Sequence, residues 1–267
     1  MDPRRQHLGT LAAALTLAVI LLTPCTTKGQ GATEGPPPPP TSPSEHKEIT
    51  LEERADIFMA RKNYADAADY YYRALKRGSF QDAALWNKLG IALQQENKFR
   101  SAREAYQKAV HADPSFAEAW NNLGTVYFMA NKYHKSVSYY RRAIAIKNDS
   151  AAFHLNLGTS YYHLKKYQQA VEEYRTALGI DPKVVLQQSA LGTTIHAGGT
   201  DPGFYFYMAK AYASTGNAEQ AVRYLRRALE DGYVTAGQLG DDPDFKKISQ
   251  DAAYVELLRT PPVALKN

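Results

Sequence analysis

The sequence predicts an all-α chain, a solenoid of about five helix-turn-helix units closed by a helical cap at its C-terminal end. Three observations predict it. The stretch WNNLGTVYF at Trp120 has an upstream copy at Trp86 (WNKLG) and a downstream copy, at the same spacing, at His154 (HLNLG). Small residues recur at fixed places, Gly90, Gly124 and Gly158 and then Ala102, Ser136 and Ala170. Polar pairs suited to turns, Asn97-Lys98, Asn131-Lys132 and Lys165-Lys166, divide each copy in two.

Residues 1–24 have the anatomy of a signal peptide or membrane anchor. Arg4 and Arg5 precede an apolar run from Leu8 to Leu22, broken by Pro24. Three fates stay open: cleavage near Gly31 or at Cys25, retention as an uncleaved span, and lipidation. Leu22-Thr23-Pro24-Cys25 resembles a bacterial lipobox with Pro24 where a small residue is usual, so Cys25 is the candidate lipidation site. Each fate predicts an exported protein of the periplasm or cell envelope, touching membrane through this segment alone. Cys25 is also the chain's single cysteine, which excludes an intrachain disulfide and a thiolate metal site.

Residues 25–47 form a Pro-rich linker. Five consecutive prolines, Pro36 to Pro40, remove backbone donors, and their neighbours supply no core, so the expectation is a disordered spacer with extended polyproline character.

Four repeats are expected over 48–184 (48–81, 83–116, 117–150 and 151–184) and a fifth over 202–235. In the central copies Leu89, Leu123 and Leu157 precede the glycines, Tyr106, Tyr140 and Tyr174 recur in the second half, and Pro114, Asn148 and Pro182 close each unit. The first copy keeps Ala55, Phe58, Ala67, Tyr71 and Ala74; the fifth keeps Met208, Ala209, Tyr212, Ala221, Leu225 and Ala228. Small residues are explained if the helices of a hairpin cross closely there. Phe99, Tyr133 and Tyr167 follow the turns as anchors. No unit buries its apolar stripe alone, so stacking is obligatory.

This series resembles the tetratricopeptide repeat, whose signature runs Trp, Leu-Gly, Tyr, Ala, Phe/Tyr, Ala, Pro over a unit of about 34 residues. The resemblance implies a right-handed superhelical solenoid, a non-catalytic scaffold, and a concave groove lined by the first helices that takes a peptide or protein segment. Mapped onto this chain, the groove face carries Asn87, Ile91 and Gln94, then Asn121, Asn122, Thr125 and Phe128, then Leu155, Asn156, Thr159 and Tyr162, and last Phe206 and Lys210. Amides can pair with a peptide backbone and rings can receive apolar side chains. A second reading of Asn122 and Asn156 is that they stabilise hairpins. One subclass grips a C-terminal carboxylate with asparagines and lysines; here the matching register reads Asp56, Ile91, Thr125, Thr159 and Lys210, which does not supply that clamp.

Between the fourth and fifth copies lie the extra residues 185–201; Gly192, Gly198 and Gly199, with Pro202 and Gly203 just beyond, argue against a continuous helix, so a loop or lid is expected, and the lack of a Gly-Lys-Ser/Thr motif speaks against a phosphate cradle. Residues 236–267 are expected to be a cap and tail, with helix starts at Asp244 and Asp251 and an apolar stripe of Phe245, Ile248, Tyr254, Leu257 and Leu258. Such a tail resembles one that follows these repeats in many exported bacterial proteins.

The chemistry of an enzyme is missing. His154 and His163 face opposite sides of one helix and cannot share a metal, Cys25 lies in the export segment, and no serine sits in a Gly-x-Ser-x-Gly context. Neither a cofactor nor a metal is expected. The net charge of +5, part of it from Arg4, Arg5 and Lys28, is too small to point to nucleic acid. The expected function is an envelope adaptor; the alternatives are an assembly factor working through its convex face, and an accessory domain of a cell-wall enzyme.

Overall fold

The computed structural model describes residues 48–78, 80–185 and 201–264, and these are all helix and turn. The export segment, the Pro-rich linker and all of the 185–201 insertion except its two end residues lie outside the described residues. Five helical hairpins follow one another: α1 (Leu51–Ala60) with α2 (Tyr64–Arg77), α3 (Ala83–Gln95) with α4 (Phe99–Ala112), α5 (Ala117–Met129) with α6 (Tyr133–Ile146), α7 (Ala151–His163) with α8 (Tyr167–Ile180), and α9 (Pro202–Thr215) with α10 (Ala218–Glu230). A short α11 (Ala236–Gly240), a 3₁₀ turn (Pro243–Ile248) and α12 (Ala252–Arg259) complete the chain.

One turn design joins the helices of every hairpin. The residue that breaks the first helix takes a left-handed conformation: Lys62, Asn97, Asn131 and Lys165 at φ of 59°, 60°, 57° and 58°, and Gly216 at 82°. The next amide then reaches back across the helix end, as in Lys98 N–H to the Leu93 carbonyl and Lys132 N–H to that of Tyr127, both 2.9 Å. This satisfies a carbonyl the helix would otherwise leave orphaned. Asn97 and Asn131 tolerate the conformation well, whereas Lys62 and Lys165 adopt it against preference.

The recurrent glycines have a sharper reason than close backbones. A Cβ on Gly90, Gly124 or Gly158 would lie 2.5, 2.7 or 2.7 Å from the ring of Tyr106, Tyr140 or Tyr174 respectively. The small residue on the first helix makes room for a buried ring on the second. In the fifth hairpin the corresponding pair is Ala209 and Leu225, both fully buried: the ring is gone and the Cβ returns. Ser136, the departure in the third repeat, is satisfied by Ser160 Oγ at 2.8 Å and the Tyr133 carbonyl at 2.8 Å.

Successive hairpins pack mainly second helix against the next first helix, as α4 on α5 and α6 on α7, but α3 also meets α5 and α5 meets α7. The first helices therefore form the inner side of the stack and the second helices the outer side. One buried cluster runs through the first three repeats, and another from Tyr140 to the cap residues Phe245, Ile248, Tyr254 and Leu257. In the cap, Asp251 starts α12 as expected, accepting from Ala253 N–H (2.9 Å) and Tyr254 N–H (3.2 Å). The other start differs: Asp242 caps the 3₁₀ turn through Asp244 N–H (3.1 Å), which frees the Asp244 carboxylate for an ion pair.

Candidate interaction face

The inner helices divide into a buried amide ladder and a half-exposed aromatic seam. In the ladder, Asn122 Nδ2 donates to Asn87 Oδ1 (2.9 Å) and Asn156 Nδ2 donates to Asn121 Oδ1 (2.9 Å), each bond crossing from one repeat to the next. Asn121 Nδ2 also reaches Asn122 Oδ1 at 3.3 Å. All four amides are buried. Below them Thr125 contacts the Tyr140 hydroxyl at 3.1 Å, and Thr159 accepts from that of Tyr174 at 3.4 Å. Gln94 accepts from the Tyr106 hydroxyl at 3.1 Å. Burial pushes the phenols of Tyr106, Tyr140 and Tyr174 well above their usual range, so these rings are neutral donors and packing elements.

This sets part of the sequence-based groove beneath the surface of the inner helices. Asn87, Asn121, Asn122 and Asn156 commit hydrogen bonds to one another, and the bonds of Asn122 to Asn87 and of Asn156 to Asn121 stitch neighbouring repeats. Thr125, Thr159 and Gln94 are buried against the tyrosines, and Ile91 and Leu155 belong to the apolar clusters. Lys210 is held by Asp242 at 2.7 Å and Asp244 at 2.8 Å. Burial opposes its charge, yet the two carboxylates prevail and raise its pKa, so Lys210 ties α9 to the cap and is not an available groove cation.

Phe128, Tyr162 and Phe206 belong instead to a seam of partly exposed rings. Phe128 meets Tyr133 (5.2 Å between centroids) and His163 (5.1 Å), and Tyr133 stacks flat on His163 at 4.7 Å. Tyr162 continues it to Tyr167 (5.8 Å) and Tyr207 (5.9 Å), with Tyr167 and Tyr207 stacked at 4.4 Å. Tyr207 leads to Phe206 at 5.2 Å, and Phe206 to Tyr233 at 5.8 Å. His163 is driven toward the neutral form by desolvation, which Asp201 opposes. The groove mapping missed Tyr133, Tyr167, His163, Tyr207 and Tyr233. Tyr133 and Tyr167 were visible as the aromatics after each turn, but their reach onto the next repeat's first helix was not.

A third register distinguishes the repeats on the opposite side. Trp86 Nε1–H donates to the Phe80 carbonyl at 2.8 Å, and Trp120 Nε1–H to that of Pro114 at 2.9 Å. His154 replaces the indole, with Nε2 placed 3.1 Å from the Asn148 carbonyl and Nδ1 2.7 Å from Glu173 Oε2. Both acceptors are satisfied together only by the imidazolium, and the Glu173 bond raises the His154 pKa against the desolvation that would lower it. His154 and His163 thus occupy different faces of α7. Among the described residues no group of three or more His, Cys, Asp or Glu is placed to hold a metal.

Hairpins stacked through buried tyrosines and amides, with rings left on one side, define a helical-repeat scaffold for protein interaction. Models of the tetratricopeptide repeat match residues 51–84, 87–151, 151–184 and 202–230. The chain belongs to the tetratricopeptide repeat family. Among solved structures, MamA residues 41 to the end from Desulfovibrio magneticus RS-1 is 14% identical, with a TM-score of 0.50 over 67% of this chain and 92% of that one. Another MamA structure is 24% identical, with a TM-score of 0.49 over 66% and 92%. YrrB, described as a TPR protein with an unusual peptide-binding site, is 17% identical, with a TM-score of 0.47 over 67% and 83%. No curated protein matches the chain significantly.

Proposed function

We propose that this protein is a non-catalytic adaptor, exported to the cell envelope, whose inner face takes a peptide or protein segment of a partner. The observation that carries the reading is the ring seam running from Phe128 through Tyr162 to Phe206. Partly exposed aromatics in one continuous line are costly to leave in water and supply rigid contact area at low entropy cost. The buried amide ladder behind them keeps successive first helices in register, so the rings are held in place before a ligand arrives. Export rests on the sequence: Arg4 and Arg5, the Leu8 to Leu22 run, and Cys25 as the residue whose acylation would anchor the protein.

A photo-cross-linking amino acid placed at Phe128 or Tyr162 of the full chain, expressed in envelope-bearing cells, should give one discrete adduct. Placed at the exposed Ile146 on α6 it should not. The same adduct from all three positions would move the site off the inner face. Fractionation of the wild type and a Cys25→Ala variant tests location and attachment; recovery of both in the cytoplasm would end the envelope reading.

A further inference from the structure

The outer helices carry a charge pattern that the inner-face reading does not use. Helix α6 contains Lys135, Arg141 and Arg142 and neither aspartate nor glutamate. Arg142 lies over the Trp120 ring at 5.6 Å and Arg141 over Tyr161 at 5.8 Å. The equivalent arginines in the fifth repeat are Arg226 and Arg227, with Arg227 over Tyr205 at 5.9 Å. There Arg223, Arg226 and Arg227 line an open cavity of about 340 Å³ together with Tyr205, Tyr224 and Glu230. Arg141, Arg142, Arg223 and Arg226 are exposed, and none makes an ion pair among the described residues. Arg227 is the exception, held by Asp231 at 3.1 Å.

The fourth repeat interrupts this pattern. At the place of Arg142 it has Thr176, Glu172 and Glu173 precede Arg175, and Glu173 is engaged by His154. The outer face therefore reads basic, acidic, basic across repeats 3, 4 and 5.

We propose that the arginines of repeats 3 and 5 form two brackets that hold a carboxylate-rich segment of a protein partner, with two acidic clusters separated by a neutral stretch. Arg141 and Arg142, lying over ring faces, have already lost part of their side-chain freedom, and the planar forks of the free arginines in both brackets match carboxylate geometry. The alternation selects the class of partner. A nucleic acid presents an unbroken line of phosphates and would set some of them against Glu172, and Arg141, Arg142 and Arg227 lie over the rings of Tyr161, Trp120 and Tyr205 on which bases would stack. A peptide with separated acidic clusters meets neither obstacle.

Fluorescence anisotropy with the full chain tests this. The probes are a labelled peptide with two Asp/Glu clusters joined by a Gly/Ser spacer, the same peptide with one cluster made neutral, and a single-stranded DNA oligonucleotide of equal charge. The two-cluster peptide should bind best. Arg141→Glu with Arg142→Glu, and separately Arg223→Glu with Arg226→Glu, should each weaken it by at least about tenfold. A charge-matched control on α2, Lys76→Glu with Arg77→Glu, should change it by less than about twofold. Thermal melts confirm that each variant is folded, and a variant that melts early is replaced by the single Arg142→Gln or Arg226→Gln change. The proposal is overturned if the wild type does not bind the peptide, if the α2 control weakens binding equally, if one cluster binds as well as two, or if DNA binds better. Substituting Phe128 and Tyr162 should leave this binding intact, so it stands or falls separately from the inner-face reading.

Discussion

The central repeats and the fifth repeat build the same hairpin from different parts. In repeats 2 to 4 a glycine faces a buried tyrosine, an Asn or Lys closes the turn, and buried amides join one repeat to the next. In the fifth, Ala209 faces Leu225, Gly216 closes the turn, and the join to the cap is the ion pair of Lys210 with Asp242 and Asp244. The helices are the same, so the hairpin does not depend on one signature residue. In the central repeats a ring is matched by glycine and in the fifth an aliphatic side chain by alanine, while the first repeat carries Ala55 with the buried Tyr71. What changes at the end of the stack is the neighbour, a cap whose carboxylates engage Lys210 in the register of Thr125 and Thr159.

The largest effect should come from forcing one design onto the other. Gly124→Ala places a methyl 2.7 Å from the Tyr140 ring, and overpacking of this kind typically costs about 1–3 kcal/mol, more than the helix propensity gained. The matched double variant, Gly124→Ala with Tyr140→Leu, should recover part of that loss, and urea titration of the double-mutant cycle measures the coupling. If the two changes are simply additive, the ring does not dictate the glycine. The reverse change, Ala209→Gly in the fifth repeat, should cost about 1 kcal/mol from helix propensity alone.

Next in size is the amide ladder. Asn122→Ala leaves Asn87 without the donor at 2.9 Å, a loss of about 1–2 kcal/mol for a buried polar group. The same substitution tests the assignment of Asn122 as a stitch between repeats. Amide exchange should quicken on both sides of the α3 to α5 contact, whereas a hairpin-only role would loosen α5 and α6 alone.

The repeat architecture was legible in the sequence because stacking imposes the same demands on every unit, at one fixed spacing. Each glycine, tyrosine and turn residue is an independent reading of one physical constraint. The face was less legible. A helical wheel places Asn121 and Phe128 on the same broad inner side, yet Asn121 is buried against the adjoining first helix and Phe128 leans toward the turn and the rings of Tyr133 and His163. Periodicity reports which way a residue points from its own helix. How much of that direction the next repeat covers depends on inter-repeat packing, which no single unit encodes. Lys210 shows the same limit: its partners, Asp242 and Asp244, lie beyond the whole of α10, in a segment without repeat register.

A smaller change is expected at the cap. Asp242→Asn removes one of the two carboxylates on Lys210 and should cost about 1 kcal/mol, with Asp244 retaining the lysine. The loss should change little in high salt, because the Lys210–Asp242 pair that is removed is mostly buried, at 16% and 13% exposed. Exchange should rise in α11, the 3₁₀ turn and α12 before it rises in the central repeats.

The smallest effect is a pH slope, and it separates repeat 4 from its indole-bearing neighbours. His154 occupies the register of Trp86 and Trp120 and makes their carbonyl bond, but as an imidazolium that also serves Glu173. Its folded pKa is raised, so its stabilising contribution is fully present below the unfolded value of about 6.5 and is lost as pH rises through the folded value. Tyr161, which also faces Glu173 and Arg141, is pushed above its usual range by burial, leaving the imidazole as the titrating member of the cluster in this window. Urea midpoints of the wild type should therefore fall over that pH interval. His154→Trp restores an Nε1–H for the Asn148 carbonyl and should flatten the fall, and Glu173→Gln should reduce it by removing the charge that favours the imidazolium. Equal slopes in the wild type and in His154→Trp would mean that the imidazole is neutral in the fold and that His154 is no more than a smaller substitute for the tryptophan.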